Sequence, residues 1–186
     1  MPSGRTHDRL TFWSLPPIVG GTFWLTRKVE LTLILAAAFL FSGLMFGPDL
    51  DIYSLQFKRW GWLRWIWLPY QKALRHRSLL SHGLIIGTVL RVLYLSTILV
   101  VMAFVVVAIA QLIWGFAWNW QQFAWETFTA IESEYKVEAL ALWLGLELGA
   151  LSHSLSDWIG SAYQARRKKN LKQRKSPVKR RTSPRR

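Results

Sequence analysis

Apolar residues dominate four long stretches of the chain, and the polar residues gather in the segments between them. Residues 10–26 form an apolar run that contains Pro16 and Pro17. Residues 31–47 carry no charge and stop at Gly47-Pro48, a pair that ends helices. Residues 92–118 are again uncharged and long enough for a helix to cross ~30 Å of hydrocarbon, and only Arg91 interrupts the longer apolar run around them. Residues 137–162 return as a helix carrying Glu138, Glu147, His153 and Asp157. This pattern predicts an all-α fold: an integral membrane helical bundle of about four transmembrane helices, the first kinked or partly re-entrant at its prolines.

The segment between the second and third runs has a different pattern. Across residues 53–75, Trp60, Trp62, Trp65 and Trp67 interleave with Lys58, Arg59, Arg64, Lys72 and Arg75. Indole rings favour the headgroup layer and cations favour anionic lipid, so an interfacial, Trp-rich segment is expected. A soluble amphipathic helix packed on the domain would carry the same pattern. The composition favours the membrane: of 186 residues 52% are hydrophobic and 12 are Trp.

The formal net charge of +14 is unevenly placed. Residues 166–186 hold 12 Lys and Arg and no acid, which leaves 12 basic and 10 acidic residues for the rest. The expected division is therefore a membrane-embedded domain over 1–165 and a disordered basic tail over 166–186. The tail has two readings, contact with anionic membrane lipid or with nucleic acid, and lipid contact needs fewer assumptions. No cleaved signal peptide is expected, because the prolines interrupt the first apolar run.

Charge also orients the bundle. Residues 47–83 carry six Lys or Arg against two Asp, whereas residues 118–136 carry one Lys against three Glu. With four spans, the basic segments share one face with both termini, which is the cytoplasmic face. Arg27-Lys28, in a tight turn opposite, runs against this. The same topology gathers all four histidines at that face: His7 before the first run, His76 and His82 before the third, and His153 late in the fourth. Asp49 and Asp51 join them after the second run.

With no cysteine, any metal is held by nitrogen and oxygen donors. His153 and Asp157 are four apart and share a helix face, which suits two ligands or a ligand and its orienting carboxylate. A helix-end histidine beside an exposed aspartate gives the same pattern. Asp49 and Asp51 alternate across an extended turn, so that one binds metal while the other supports a histidine or acts as a base; helix-stop and turn chemistry also accounts for them. His76 and His82 are six apart and face different sides of a helix, so joint binding requires His76 to lie in the turn before it. Arg77 suits an oxyanion or serves as a topology anchor. His7 is the expected ligand and Asp8 its neighbour or N-cap. Glu147 is roughly 15 Å deeper than Asp157 along a helix and faces either the bundle interior or water.

PDLD at 48–51, HRSLLSH at 76–82 and SHSLSD at 152–157, after an early His7, resemble the pattern of LexA-regulated, inner-membrane-associated proteins assigned as metal-dependent hydrolases. The resemblance is closer still to a branch, mostly of photosynthetic bacteria, labelled as metal-binding membrane proteins. It covers nearly the whole chain except the tail. It implies a metal site of His7, Asp49, Asp51, His76, His82, His153 and Asp157. It also implies a divalent cofactor, zinc first, as one or two ions, and distant similarity to zinc-dependent phospholipase C and related nucleases. The expected function is hydrolysis of a phosphoester, such as a lipid, at the cytoplasmic face of a bacterial inner or thylakoid-type membrane. Asp51 or Asp157 would be base or orienting carboxylate, and Arg77 would hold the phosphate. The alternatives are a non-catalytic metal-binding membrane protein and a membrane tether acting through its tail. Ser78 where the pattern has Gly, Gly83 where it has Ser, and the lack of a Thr-Pro segment after Asp157 bear on substrate identity.

Overall fold

The computed structural model of the chain describes residues 4–76 and 78–175, and among these every regular element is helical. The α-helices are Gly4–Thr26 (α1), Val29–Leu44 (α2), Leu55–Arg59 (α3), Leu68–Ala73 (α4), Leu79–His82 (α5), Ile86–Trp114 (α6), Trp120–Ser133 (α7) and Lys136–Lys175 (α8). Two 3-10 segments, Pro48–Asp51 and Gly61–Trp67, complete the path between α2 and α4.

Small residues set how closely the main helices approach. On α8, a Cβ built at Gly149 would lie 2.6 Å from the Phe39 carbonyl oxygen and 2.8 Å from the Gly43 nitrogen of α2, so only glycine allows the two backbones to meet there. Ser42 donates to the Leu146 carbonyl at 2.6 Å across the same contact. Gly43 in turn faces Thr11 of α1. The three helices therefore pack along one another, with Phe39, Leu35 and Ala38 buried between them.

The Trp-rich segment is half core and half surface. Trp67 is fully buried against Phe46 and Tyr70, while Trp60 donates to the Met45 carbonyl at 2.9 Å. Trp62 and Trp65 point outward, flanking Arg64 on a shallow groove. Arg59 grips Asp8 with two bonds, 2.9 and 2.5 Å, and donates to the Leu44 carbonyl at 2.8 Å, tying α1 to the end of α2. Asp8 is thus a partner of Arg59 and not an N-cap, because α1 already begins at Gly4.

Several expectations change. Among the described residues two helices are long and apolar enough to cross a membrane, Val29–Asp51, counted through its following turn, and Ile86–Trp114. α1 falls short because charged residues open it and prolines and glycines dilute it, and α8 because acids are spaced along its apolar half. α1 runs as one helix through both prolines. The basic segment after residue 165 is helical as far as Lys175, since Arg, Lys and Gln are good helix formers and the next proline is Pro177. Residues 176–186 and Arg77 lie outside the described residues.

Candidate metal centre

Helix termini bring the histidines and aspartates together. Pro48 starts a 3-10 helical turn as α2 ends, and this, rather than the extended turn expected, presents Asp49 and Asp51. His76 lies in the turn before α5, and His82 ends that helix, so their rings meet edge to face at 5.0 Å. His7 enters from the first turns of α1 and stacks on His153 of α8, ring centroids 4.1 Å apart. All seven residues expected from the sequence fall in one cluster at one end of the bundle.

The second ring nitrogen of each histidine has its own partner. His76 Nδ1 meets Asp51 Oδ1 at 2.9 Å, a charge-assisted hydrogen bond to a carboxylate with no exposed side-chain surface. His82 Nδ1 meets the Ser81 hydroxyl at 2.9 Å, and that hydroxyl is within 3.3 Å of the Arg75 and Ser78 carbonyls, to which it donates. Ser156 donates to the His153 carbonyl at 3.0 Å and so accepts from His7 Nδ1. In all three rings this leaves the Nε2 lone pair facing the centre. His153 differs: its Nδ1 meets the Gln56 amide nitrogen, itself held by the Gly43 carbonyl, at 3.4 Å.

Facing one another, the remaining atoms are too far apart for good hydrogen bonds. His7 Nε2 is 3.3 Å from Asp157 Oδ1, and His153 Nε2 is 3.9 Å from Asp157 Oδ2 and 3.3 Å from Asp49 Oδ2. His82 Nε2 is 3.7 Å from Asp49 Oδ1. Hydrogen bonds between such atoms fall at ~2.7–3.2 Å. Two ligands bound to one tetrahedral ion through bonds of ~2.0–2.1 Å stand about 3.3 Å apart. The buried Nε2 atoms of His76, His82 and His153, and Asp51 Oδ2, have no hydrogen-bond partner. Unpartnered buried donors and acceptors are costly, and a divalent ion satisfies such a set. The donors present fit a metal of the nitrogen and oxygen class.

The chain matches a family model over residues 2–167, that of the uncharacterized metal-binding proteins designated DUF2227. It belongs to that family. The match covers every residue of the cluster, so the family's metal-binding character and the His and Asp groups of the structure coincide in this chain. No curated protein and no solved structure matches it.

Burial gives the cluster its electrostatics. The His7 pKa is held below its ordinary 6.5, first by burial and then by repulsion from His153, with Asp157 and Asp49 pulling the other way. Its imidazole is therefore neutral, the form that binds metal. A cavity of about 20 Å³ opens beside His7, Asp49, Gln56 and His153, room for roughly one water or ion. The other side is less closed, with 26% of the His76 side chain exposed.

Glu147 stands apart from the cluster. Its Oε1 accepts from the Ile85 backbone nitrogen at 2.6 Å, so α8 caps the start of α6, where Ile85 adopts a left-handed φ of 65°. Sequence reasoning left four contributors unassigned: Gln56, Ser81, Ser156 and Arg91. Arg91, buried in α6, donates to the Ser81 carbonyl and to Thr88 Oγ1, both at 3.0 Å, and so holds the turn that carries His82. As the lone charge in its apolar run it was visible in the sequence; its partners were not.

Proposed function

We propose that this is an integral membrane protein that binds a divalent metal, zinc first, at the cytoplasmic end of its bundle and hydrolyses a phosphoester there. The observation that carries the catalytic reading is the donor set Asp49, His76 and His82: three ligands with partly exposed side chains. Three protein ligands with an accessible fourth position is the arrangement of catalytic zinc, whereas structural zinc is closed by four. The motif resemblance to metal-dependent hydrolases supports the same activity.

A divalent ion in such a site supplies Lewis acidity, polarising a phosphoryl oxygen and acidifying water. The chain's own residues supply the rest. Asp51 orients His76; of its two expected roles, base or orienting carboxylate, burial and the 2.9 Å bond fit the second. Asp157 faces two histidines and fits a ligand. Arg77, beside His76 in sequence, is assigned the phosphate.

Membrane insertion draws support from α6. Its 29 residues rise ~43 Å against ~30 Å of hydrocarbon, and Val100, Val101, Phe104, Val105 and Val106 are exposed along it. α1 and α8 pack along α2 and complete four spans, with both termini and the basic segments cytoplasmic. The basic tail then reaches anionic lipid, at ~1 kcal/mol per basic residue near the leaflet, with nucleic acid as the salt-sensitive alternative.

The test is metal content of the detergent-purified protein by elemental mass spectrometry, followed by turnover of bis(p-nitrophenyl) phosphate after metal removal and zinc or manganese restoration. Metal-dependent turnover that His76→Ala abolishes is expected. Bound metal without turnover of any phosphoester favours a non-catalytic metal-binding membrane protein, a reading the enclosed 20 Å³ cavity also fits. No metal at all would overturn both.

A further inference from the structure

We propose that the centre takes two divalent ions and that the Asp49 carboxylate is shared between them, one oxygen to each. The inference rests on the metal-binding reading above and does not require hydrolysis. Two groups of donors each lie within 4.8 Å of one another: His7, His153 and Asp157, and Asp49, His76 and His82. They have no member in common, and they come from different elements: α1 and α8 in the first, the turn after α2 and the α5 region in the second.

The three carboxylates divide their oxygens in three ways. Asp157 spends both within the first group, Oδ1 on His7 and Oδ2 on His153. Asp51 is outside either group as a ligand and gives Oδ1 to His76 Nδ1. Asp49 alone faces both: Oδ1 lies 3.7 Å from His82 Nε2 and Oδ2 lies 3.3 Å from His153 Nε2. A carboxylate placed so bridges two ions through its O–C–O unit.

One ion does not satisfy the site. Held by His7, His153 and Asp157, it leaves the buried Nε2 atoms of His76 and His82 without partners; held by the other group, it leaves that of His153. Charge sets a condition on the second ion: three carboxylates against the buried Arg91 near Asp51, with neutral histidines, are balanced by one divalent ion, so a second enters together with an anionic ligand such as hydroxide or a phosphate oxygen. The two positions differ in access. The first is enclosed by the nearly fully buried rings of His7 and His153, and the second borders the exposed side of His76. The first ion therefore exchanges slowly and the second quickly.

The probe is Mn²⁺, loaded into the metal-free full chain in detergent and read by elemental mass spectrometry and electron paramagnetic resonance. Wild type is expected to hold two ions per chain with an exchange-coupled spectrum, whose hyperfine lines are spaced at half the interval of an isolated ion. His7→Ala and His76→Ala are each expected to retain one ion with an uncoupled spectrum. Asp49→Asn, which preserves shape, should lose the coupling even at saturating Mn²⁺. Asp157→Asn should need more Mn²⁺ but keep the coupling once loaded. Saturation of wild type at one ion, or a coupled spectrum in Asp49→Asn, overturns the shared carboxylate while leaving metal binding intact. Absence of any bound Mn²⁺ removes both readings, and turnover is not consulted in either case.

Discussion

Asp51→Asn separates an orienting carboxylate from a structural one. Asp51 Oδ1 bonds His76 Nδ1 at 2.9 Å, and its Oδ2, 3.8 Å from His82 Nδ1, has no hydrogen-bond partner. Asparagine keeps the shape and can still accept from Nδ1 through its amide oxygen, but without charge. A hydrogen bond to a charged group is worth ~1.5–3 kcal/mol and a neutral one ~0.5–1.5, so the loss is about 1–2 kcal/mol. That corresponds to roughly a 5- to 30-fold loss of metal affinity, overlapping the lower part of the ~10- to 100-fold effects seen when ligand-orienting partners are removed. The metal-free protein should respond differently. Neutralising a fully buried carboxylate with one unpartnered oxygen removes a desolvation penalty of the same order as the lost bond, so its thermal midpoint is expected to hold or rise. Metal affinity is read by competition with a chromophoric chelator, and stability by thermal unfolding in the same detergent. Unchanged affinity would refute the orienting role. A metal-free midpoint that falls in step with the affinity would instead make Asp51 a packing residue.

Two other outcomes follow from the packing and from burial. Gly149→Ala should destabilise the fold by ~1–3 kcal/mol through overpacking on Phe39 and Ser42, outweighing the ~1 kcal/mol that alanine gains as a helix former. Gly20→Ala, with open space around its Cβ, keeps only the gain, so thermal midpoints moving in the same direction would contradict the close approach of α2 and α8. The metal-free protein should also lose stability as pH falls below 6.5: the depressed His7 pKa means that between that value and 6.5 the unfolded chain binds a proton the folded chain does not, so stability rises with pH there. His7→Gln should flatten this dependence in midpoints measured from about pH 5 to 7, and an unchanged slope would remove His7 as its source.

The helices were legible because uncharged runs and glycine–proline stops are local signals. The clustering of His7, Asp49, His76, His82 and His153 was legible because antiparallel helices return alternate junctions to one end. The division of labour within the cluster was not. PDLD contains two similar aspartates, and only the 3-10 turn decides that Asp49 faces two histidines while Asp51 turns to His76 Nδ1. Trp67 reads like its neighbours in a Trp-rich basic segment, yet it is buried and Trp62 is not, because the segment winds as a 3-10 helix whose faces repeat every three residues. The length of α8 beyond residue 165 was hidden by charge: a basic run reads as solvated whether or not it is helical.

What fixes the site to sub-ångström differences is the row Ala141, Gly145, Gly149, His153, Asp157 on α8, each residue four after the last. Such a row forms one ridge along a helix. Its first three members are small and press against α2, whose backbone approaches as far as glycine permits. α2 then ends at Leu44 and the chain turns at Pro48, so the next two positions of the same ridge meet that turn and His7 of α1 instead of α2. There the ridge changes from small residues to His153 and Asp157, and the turn that replaces α2 presents Asp49 to them. The separation of His153 Nε2 from Asp49 Oδ2, 3.3 Å, is thus inherited from the helix contact one and two turns away. A wedge at Gly149 should consequently weaken metal binding without touching a ligand, and by more than the same wedge at Gly145, which lies one turn further from the site.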